Sequence, residues 1–276
     1  CLIGSSLGVF AELVALGGLY QNPEAEFLSI LFFVYAGASQ QRLAENPNDK
    51  LLPNLDKMVT AMERLALEPS KRTGEYLFWQ DTASSLKRLG LGVLIAAAIG
   101  LALGLFTGAL PLVHAGVSPL LTVVSLIPPL AILPVLFILF GLGEASKVIL
   151  IAIGITPFIA RDLQRRTQEI PSEQLVKAQT LGANTSQIMV RVLLPQLMPK
   201  LIDAVRLSLG AGWLFLIAAE AIASEVGLGY RIFLVRRFLA MDVILTYVIW
   251  ITLLAFLMDL ALRWLSRRLF PWTEAG

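Results

Sequence analysis

Long apolar runs separated by short polar interruptions set the plan of the chain. Trp79 to Leu110, Pro119 to Phe140, Lys147 to Ile159, Leu201 to Ile222 and Val243 to Leu265 are strongly apolar. A run of about 20 such residues is what a helix needs to cross a bilayer core. The short-period alternation of a membrane β-barrel is absent. The pattern therefore predicts an all-α, polytopic helical membrane protein with about six spanning helices. The first span comes from residues 1–20 or from residues 24–43, both apolar but short or interrupted; the other is then an added helix or a surface segment.

Between these and the core, residues 45–81 are polar and punctuated by Pro47, Pro53 and Pro69. Within them Leu55, Met58, Val59, Met62 and Leu65 fall on one face, which predicts an amphipathic helix over 55–67. In the next span Gly100, Gly104 and Gly108 recur every four residues, a spacing that lets a second helix approach closely in lipid. Pro128-Pro129 and Pro134 interrupt the following span. Such breaks are tolerated where neighbours or water satisfy the freed carbonyls, so they mark either a translocation path or a packing kink.

The one polar, helix-compatible stretch among the later spans is Ile170 to Pro195. Glu173 to Leu181 lacks proline and glycine, and Gly182 suits the position just past a helix C-terminus. Asn184, Thr185 and Ser186 are good caps for a second helix through Gln187 to Leu194, which Pro195 closes or kinks. A helix, a glycine elbow and a helix make a knob between two spans, a shape suited to a docking partner.

Composition removes several classes. With 57% hydrophobic and 15% charged residues and a mean hydropathy of +0.75, the chain is too apolar for a soluble domain. A net charge of +2 gives no case for nucleic acid. One cysteine, Cys1, excludes an intrachain disulfide and a cysteine metal cluster, and one histidine, His114, argues against a histidine metal site; no metal or cofactor is expected. A chain beginning on Cys1 points to an upstream stretch removed, with lipid modification of that cysteine as the minor reading. Basic residues gather at 161–200 and 263–268, which places both in the cytoplasm by the positive-inside rule. Residues 45–81 then fall outside and the carboxyl terminus inside. Arg231, Arg236 and Arg237 also fall outside, against the rule. Asp259 and Arg263, one turn apart, are expected to pair, and His114 to sit solvated in a short loop.

The knob resembles the cytoplasmic signature of permease subunits of binding-protein-dependent ABC importers: Glu-Ala-Ala, three residues, Gly, nine residues, then Ile-x-Leu-Pro. Anchored on Gly182, this chain has Ala178 at the second alanine, Val192 at the isoleucine and Leu194-Pro195 at the end. Val176 and Lys177 stand where the signature has Glu and Ala, so the signature's acid is missing; Glu173 is one turn earlier. From Leu51 to Trp272 the chain is similar to the nitrate, sulfonate, taurine and bicarbonate subgroup, through LLPN at 51–54, WQDTASSLKRLGLG at 79–92, IPPLAILPVLFILFGLG at 127–143, GWLFLIAAEAIA at 212–223 and GLGYRIF at 227–233. The LLPN stretch favours residues 24–43 as the first span.

The resemblance implies the type I ABC importer fold and division into an N-terminal hydrophobic part (1–44), an external amphipathic segment (45–81) and a core (82–276) with a coupling helix at 172–184. It implies two copies of an ATPase subunit, a second permease copy in a homodimer, and a periplasmic or lipid-anchored binding protein, all at a bacterial inner membrane. It assigns ATPase coupling to Glu173, Gln174, Lys177, Ala178, Leu181, Gly182 and Ala183. From the residues themselves, Gln174, Ala178 and Leu181 share a face, with the small Ala178 allowing close approach.

For the path or gate the candidates are Pro128, Pro129, Ser208, Trp213 and Glu220, each with helix packing as the rival role. A carboxylate in the apolar run around Glu220 is costly. It is read either as part of an outer gate or as one half of a structural pair with Arg231 or Arg236. No Walker-type glycine loop or nucleophile–base constellation is present, so the chain is not expected to be an enzyme. The rivals are an ATPase-independent secondary transporter or channel, which gives the polar elbow no role, and a membrane-embedded enzyme, which needs clustered His, Asp or Glu.

Overall fold

The computed structural model describes residues 34, 37–42, 53–69 and 74–273. Residues 1–20 lie outside the described residues, as do most of the 24–43 segment and residues 43–52, so the choice of first span falls there too. Among the described residues every regular element is helical. Helix α1 is Leu55–Leu67, as the amphipathic pattern predicts. Its buried face is carried by Met58 and Ala61, and the Met58 carbonyl accepts from the Thr246 hydroxyl. Val59 and Met62, expected on the inner face, remain exposed.

Helix α2, Leu77–Ala109, runs 33 residues without a proline and stops where Pro111 forces Leu110 into an extended conformation. Helix α5, Glu144–Gln168, lies along it. A Cβ on Gly92 would come 2.7 Å from Ile151, on Gly100 2.6 Å from Ile159 and on Gly104 2.5 Å from Leu163, while Gly108 faces Thr167. All four contacts keep one register offset, so α2 and α5 are parallel. The glycine stripe brings them backbone to side chain over most of their length.

That parallel pairing constrains the connection. Helices α3, Pro111–Leu126, and α4, Pro129–Phe140, meet at Pro128 with a 93° bend. The sequence predicts one span beginning at Pro119. Instead the helix starts at Pro111, whose missing N–H costs nothing in a first turn, and Pro119 sits inside it. Because α2 ends at one end of the bundle and α5 begins at the other, the bent pair must carry the chain across and is a broken span. Three helical stretches, α2, Thr185–Ala223 and Met241–Leu269, are long and apolar enough to cross a membrane, with the bent pair as a fourth. Helix α5 carries more charge than these stretches but lies alongside α2 as its in-register partner. It is longer than the expected Lys147–Ile159 and carries Arg161, Asp162, Arg165 and Arg166 on its last turns.

After α5 come α6, Ser172–Thr180, and α7, Thr185–Ile188. A π-helical turn at Met189–Leu193 then leads into α8, Leu194–Ala223. The sequence predicts a second knob helix closed or kinked by Pro195 and a separate span from Leu201. The structure has 39 helical residues from Thr185 to Ala223. The π turn is the reason: the N–H of Leu194 reaches back to Met189, widening the helix just where Pro195 has no N–H to give. Helix α9, Leu228–Arg236, and α10, Met241–Leu269, complete the bundle. The core is a seam of α2, α5 and α8 closed by α10, with Phe78, Leu89, Leu150, Ile155, Leu163, Leu216 and Tyr247 fully buried. Many large apolar side chains point outward, Leu112 at 87% and Ile138 at 83% exposure; lipid is the solvent such a surface suits.

Candidate functional site

The elbow is built by local chemistry. Helix α6 ends in a pair of reverse hydrogen bonds, Ala183 N–H to the Ala178 carbonyl at 3.0 Å and Gly182 N–H to the Gln179 carbonyl at 2.9 Å. This closure requires a left-handed residue, and Gly182 supplies it at φ +86°. Asn184 then caps α7 in a reciprocal box: its side chain accepts from the Gln187 N–H at 2.8 Å, and its own N–H donates to the Gln187 side chain at 3.0 Å. Leu175, Ala178 and Ala183 pack against the bundle core. Ala178 is thus half-buried against its own protein, while Gln174 and Leu181, which the sequence sets on the same face, are exposed. The outward residues are Glu173, Gln174, Val176 and Lys177, with Leu181 the most prominent at 88% exposure. Gln174 also accepts a bond from Gln196 on α8 at 3.1 Å.

At the opposite end lies a buried charge network. Asp81, Ser85 and Arg88 follow one another at helical spacing on α2 and face inward. Glu220 on α8 has no exposed surface. It accepts from the Ser85 hydroxyl at 2.8 Å, from Arg88 Nη1 at 2.6 Å and from the Gly229 N–H at 2.9 Å. Arg88 also donates to the Val226 carbonyl at 2.7 Å and forks onto Glu144 at the start of α5, where Lys147 joins at 3.2 Å. Asp81 accepts from the Gly227 N–H at 2.9 Å, Arg231 Nε at 2.8 Å and the Tyr247 hydroxyl at 3.1 Å. For Arg231, burial works against the charge, but the hydrogen bond and negative charge of Asp81 outweigh it and hold the guanidinium above its ordinary value.

Three carboxylates (Asp81, Glu144, Glu220) therefore meet three cations (Arg88, Lys147, Arg231). The arrangement is electrically balanced, as the burial of Asp81, Glu220, Arg88 and Lys147 demands, while Glu144 closes it at the exposed rim. It offers no free base or nucleophile; its effect is to clamp α2, α5, α8, α9, α10 and the Ser224–Gly227 loop together.

Other sequence-predicted residues are scattered. Pro128 and Pro129 form the bend between α3 and α4. The Ser208 hydroxyl is used within its own helix, on the Ala204 carbonyl at 2.8 Å. Trp213 is buried in the core, and its indole N–H finds no acceptor among the described residues. Glu220 pairs with Arg88, not with Arg231 or Arg236: Arg231 is taken by Asp81, and Arg236 lies over the Phe233 ring. Asp259 and Arg263 do pair, at 2.6 Å, and Arg206 on α8 joins Asp259 at 2.8 Å. His114 is in the first turn of α3, not a loop, with Nδ1 at 3.2 Å from the Gln164 amide and 3.0 Å from that of Gln168.

The family described as binding-protein-dependent transport system inner membrane component matches residues 90–271. The chain belongs to this family. The taurine transport system permease protein TauC of Escherichia coli (strain K12) is 38% identical over 194 residues, 70% of each chain. The nitrate import permease protein NrtB of Leptolyngbya laminosa is 31% identical over 198 residues, 70% of this chain and 69% of its own. An inward-facing structure of the MetNI methionine ABC transporter superposes with a TM-score of 0.63, covering 72% of this chain and 98% of that one at 22% identity. This inner membrane component thus has the type I ABC importer permease fold expected from its sequence.

Proposed function

We propose that this chain forms the translocation path of an ABC importer for a small oxyanion or sulfonate, driven by a separate ATPase. The cargo class follows the relatives, whose names specify taurine, nitrate, bicarbonate and aliphatic sulfonates. The observation that carries the coupling role is the elbow: a helix closed by the Gly182 turn whose apolar Val176 and Leu181 are 54% and 88% exposed. In this reading the elbow end is cytoplasmic, the carboxyl terminus lies on the same side, and residues 45–81 and the charge network lie outside. Residues 82–276 are the transporting core. Two ATPase copies hold two copies of this chain, and a periplasmic or lipid-anchored binding protein delivers cargo. The ATPase-independent transporter is set aside because it gives the exposed elbow no task.

Force on the elbow passes into α7 and on through the unbroken helix to Glu220, the α8 member of the network. The test is association. In membranes carrying the partner ATPase, Val176→Asp with Leu181→Asp should lower copurified ATPase about tenfold or more, since exposed apolar anchors dominate such contacts. Undiminished copurification by that variant removes the elbow from the interface.

A further inference from the structure

Beside the network, at the end of the bundle away from the elbow, Ala221, Tyr230, Phe233, Leu234, Arg236 and Arg237 line a groove of 440 Å³. Arg88, Lys147 and Arg231 at this end each sit on a carboxylate. Arg236 and Arg237 do not: among the described residues neither has a carboxylate partner, and no acid lines the groove. Arg236 is held over the Phe233 ring at 5.8 Å, which orients its planar fork without neutralising it. The turn that follows is held in a conformation its residue disfavours. Leu239 has φ +52°, fixed by its N–H on the Arg236 carbonyl at 3.1 Å and by Met241 N–H on its own carbonyl at 2.9 Å. A non-glycine residue in that region is a local cost that surrounding structure must impose. Here it closes the chain tightly behind the two arginines.

We infer that this groove is an oxyanion site, taking a phosphate, sulfate or sulfonate group between the Arg236 and Arg237 guanidiniums. Two unpaired cations lining one groove repel each other, and a shared anion converts that repulsion into charge-assisted hydrogen bonds. The Tyr230 side chain completes the lining. Two sources present this chemistry, a free oxyanion in solution and the phosphodiester of an anionic lipid. The exposed Phe238 and Leu239 beside the arginines suit the apolar part of the second. The inference concerns the groove alone and holds whatever cargo the transporter carries.

The full chain, purified in detergent and freed of lipid, is titrated with inorganic sulfate by equilibrium dialysis and, separately, with phosphatidylglycerol by native mass spectrometry. One equivalent of at least one probe should bind. The Arg236→Gln/Arg237→Gln variant should bind it about tenfold more weakly or worse, because two charge-assisted contacts are lost. Arg236→Lys/Arg237→Lys, which keeps the charge, should retain part of the affinity and shows that loss in the glutamine variant is not a folding defect. Sulfate binding identifies a free oxyanion site, and phosphatidylglycerol binding alone identifies a lipid site. Failure of both probes to bind, or equal affinity in the glutamine variant, overturns the inference.

Discussion

Gly227 shows how closely individual residues are fitted at the buried end. It holds φ +139°, and a Cβ there would lie 2.5 to 2.6 Å from the Glu220 carboxyl group, while a Cβ on Gly229 would lie 2.7 Å from the Ile217 carbonyl oxygen. Gly227→Ala therefore suffers both backbone strain and a clash with a fully buried carboxylate. We expect it to cost about 2–4 kcal/mol, seen as a lowered Tm in detergent. Gly210→Ala, with open space around it, should leave Tm unchanged or raise it. Arg88→Met strands Glu220 without its cation, and breaking such a pair costs about 3–5 kcal/mol. Adding Glu220→Gln to Arg88→Met should recover part of that loss in the same unfolding measurement; no recovery would mean that Arg88 acts chiefly through Glu144. The sequence announces Glu220 as an oddity in an apolar run, but not its partner. Arg88 lies 132 residues away, and several cations competed for the role. The polar residues Asp81, Ser85 and Arg88 at helical spacing in the first turns of a long apolar helix were the available signal.

Among the helices, the determining contact is α2 against α5. Gly104→Val places a branched side chain where Leu163 and the Ala160 carbonyl already sit, and should force the pair apart. Gly90→Val on the same helix meets nothing within 4 Å and pays only the modest β-branched propensity cost. Membrane yield and Tm should separate the two variants clearly; equal values would show that the stripe does not set the packing. The stripe was legible as a helix-packing face because lipid-embedded helices need small residues to approach, but period alone could not name α5 as the partner. Helix α1 was legible to the residue because prolines bracket it and its apolar period is unbroken. The continuity of the elbow with α8 was not. Pro195 reads as a stop, and only the π turn ahead of it, which no residue pattern here announces, lets the helix run on. Nor was the inward turn of Ala178, which depends on where the bundle lies relative to the elbow.

For the whole molecule the question is how an event at Leu181 reaches Glu220. The helix from Thr185 to Ala223 joins them as one body of 39 residues, about 58 Å if straight. A rod transmits displacement only while its own bending is stiffer than the contacts it moves, so softening it should disconnect the ends without dissolving either. Leu207 and Leu214 face outward on this helix at 80% and 58% exposure, so replacing both with glycine removes little core packing and costs about 1 kcal/mol each in helix propensity. In proteoliposomes with the partner ATPase, the Leu207→Gly/Leu214→Gly variant should still bind the ATPase and hydrolyse ATP. Its ratio of cargo moved to ATP consumed should fall severalfold. The matching change on α10, Leu253→Gly/Leu260→Gly, touches a helix that does not join the elbow and should leave the ratio near that of the unaltered chain. If both variants transport with the original ratio, displacement does not travel along this helix. The remaining physical route is then α5, which begins at Glu144 in the network and leads directly into the elbow helix α6.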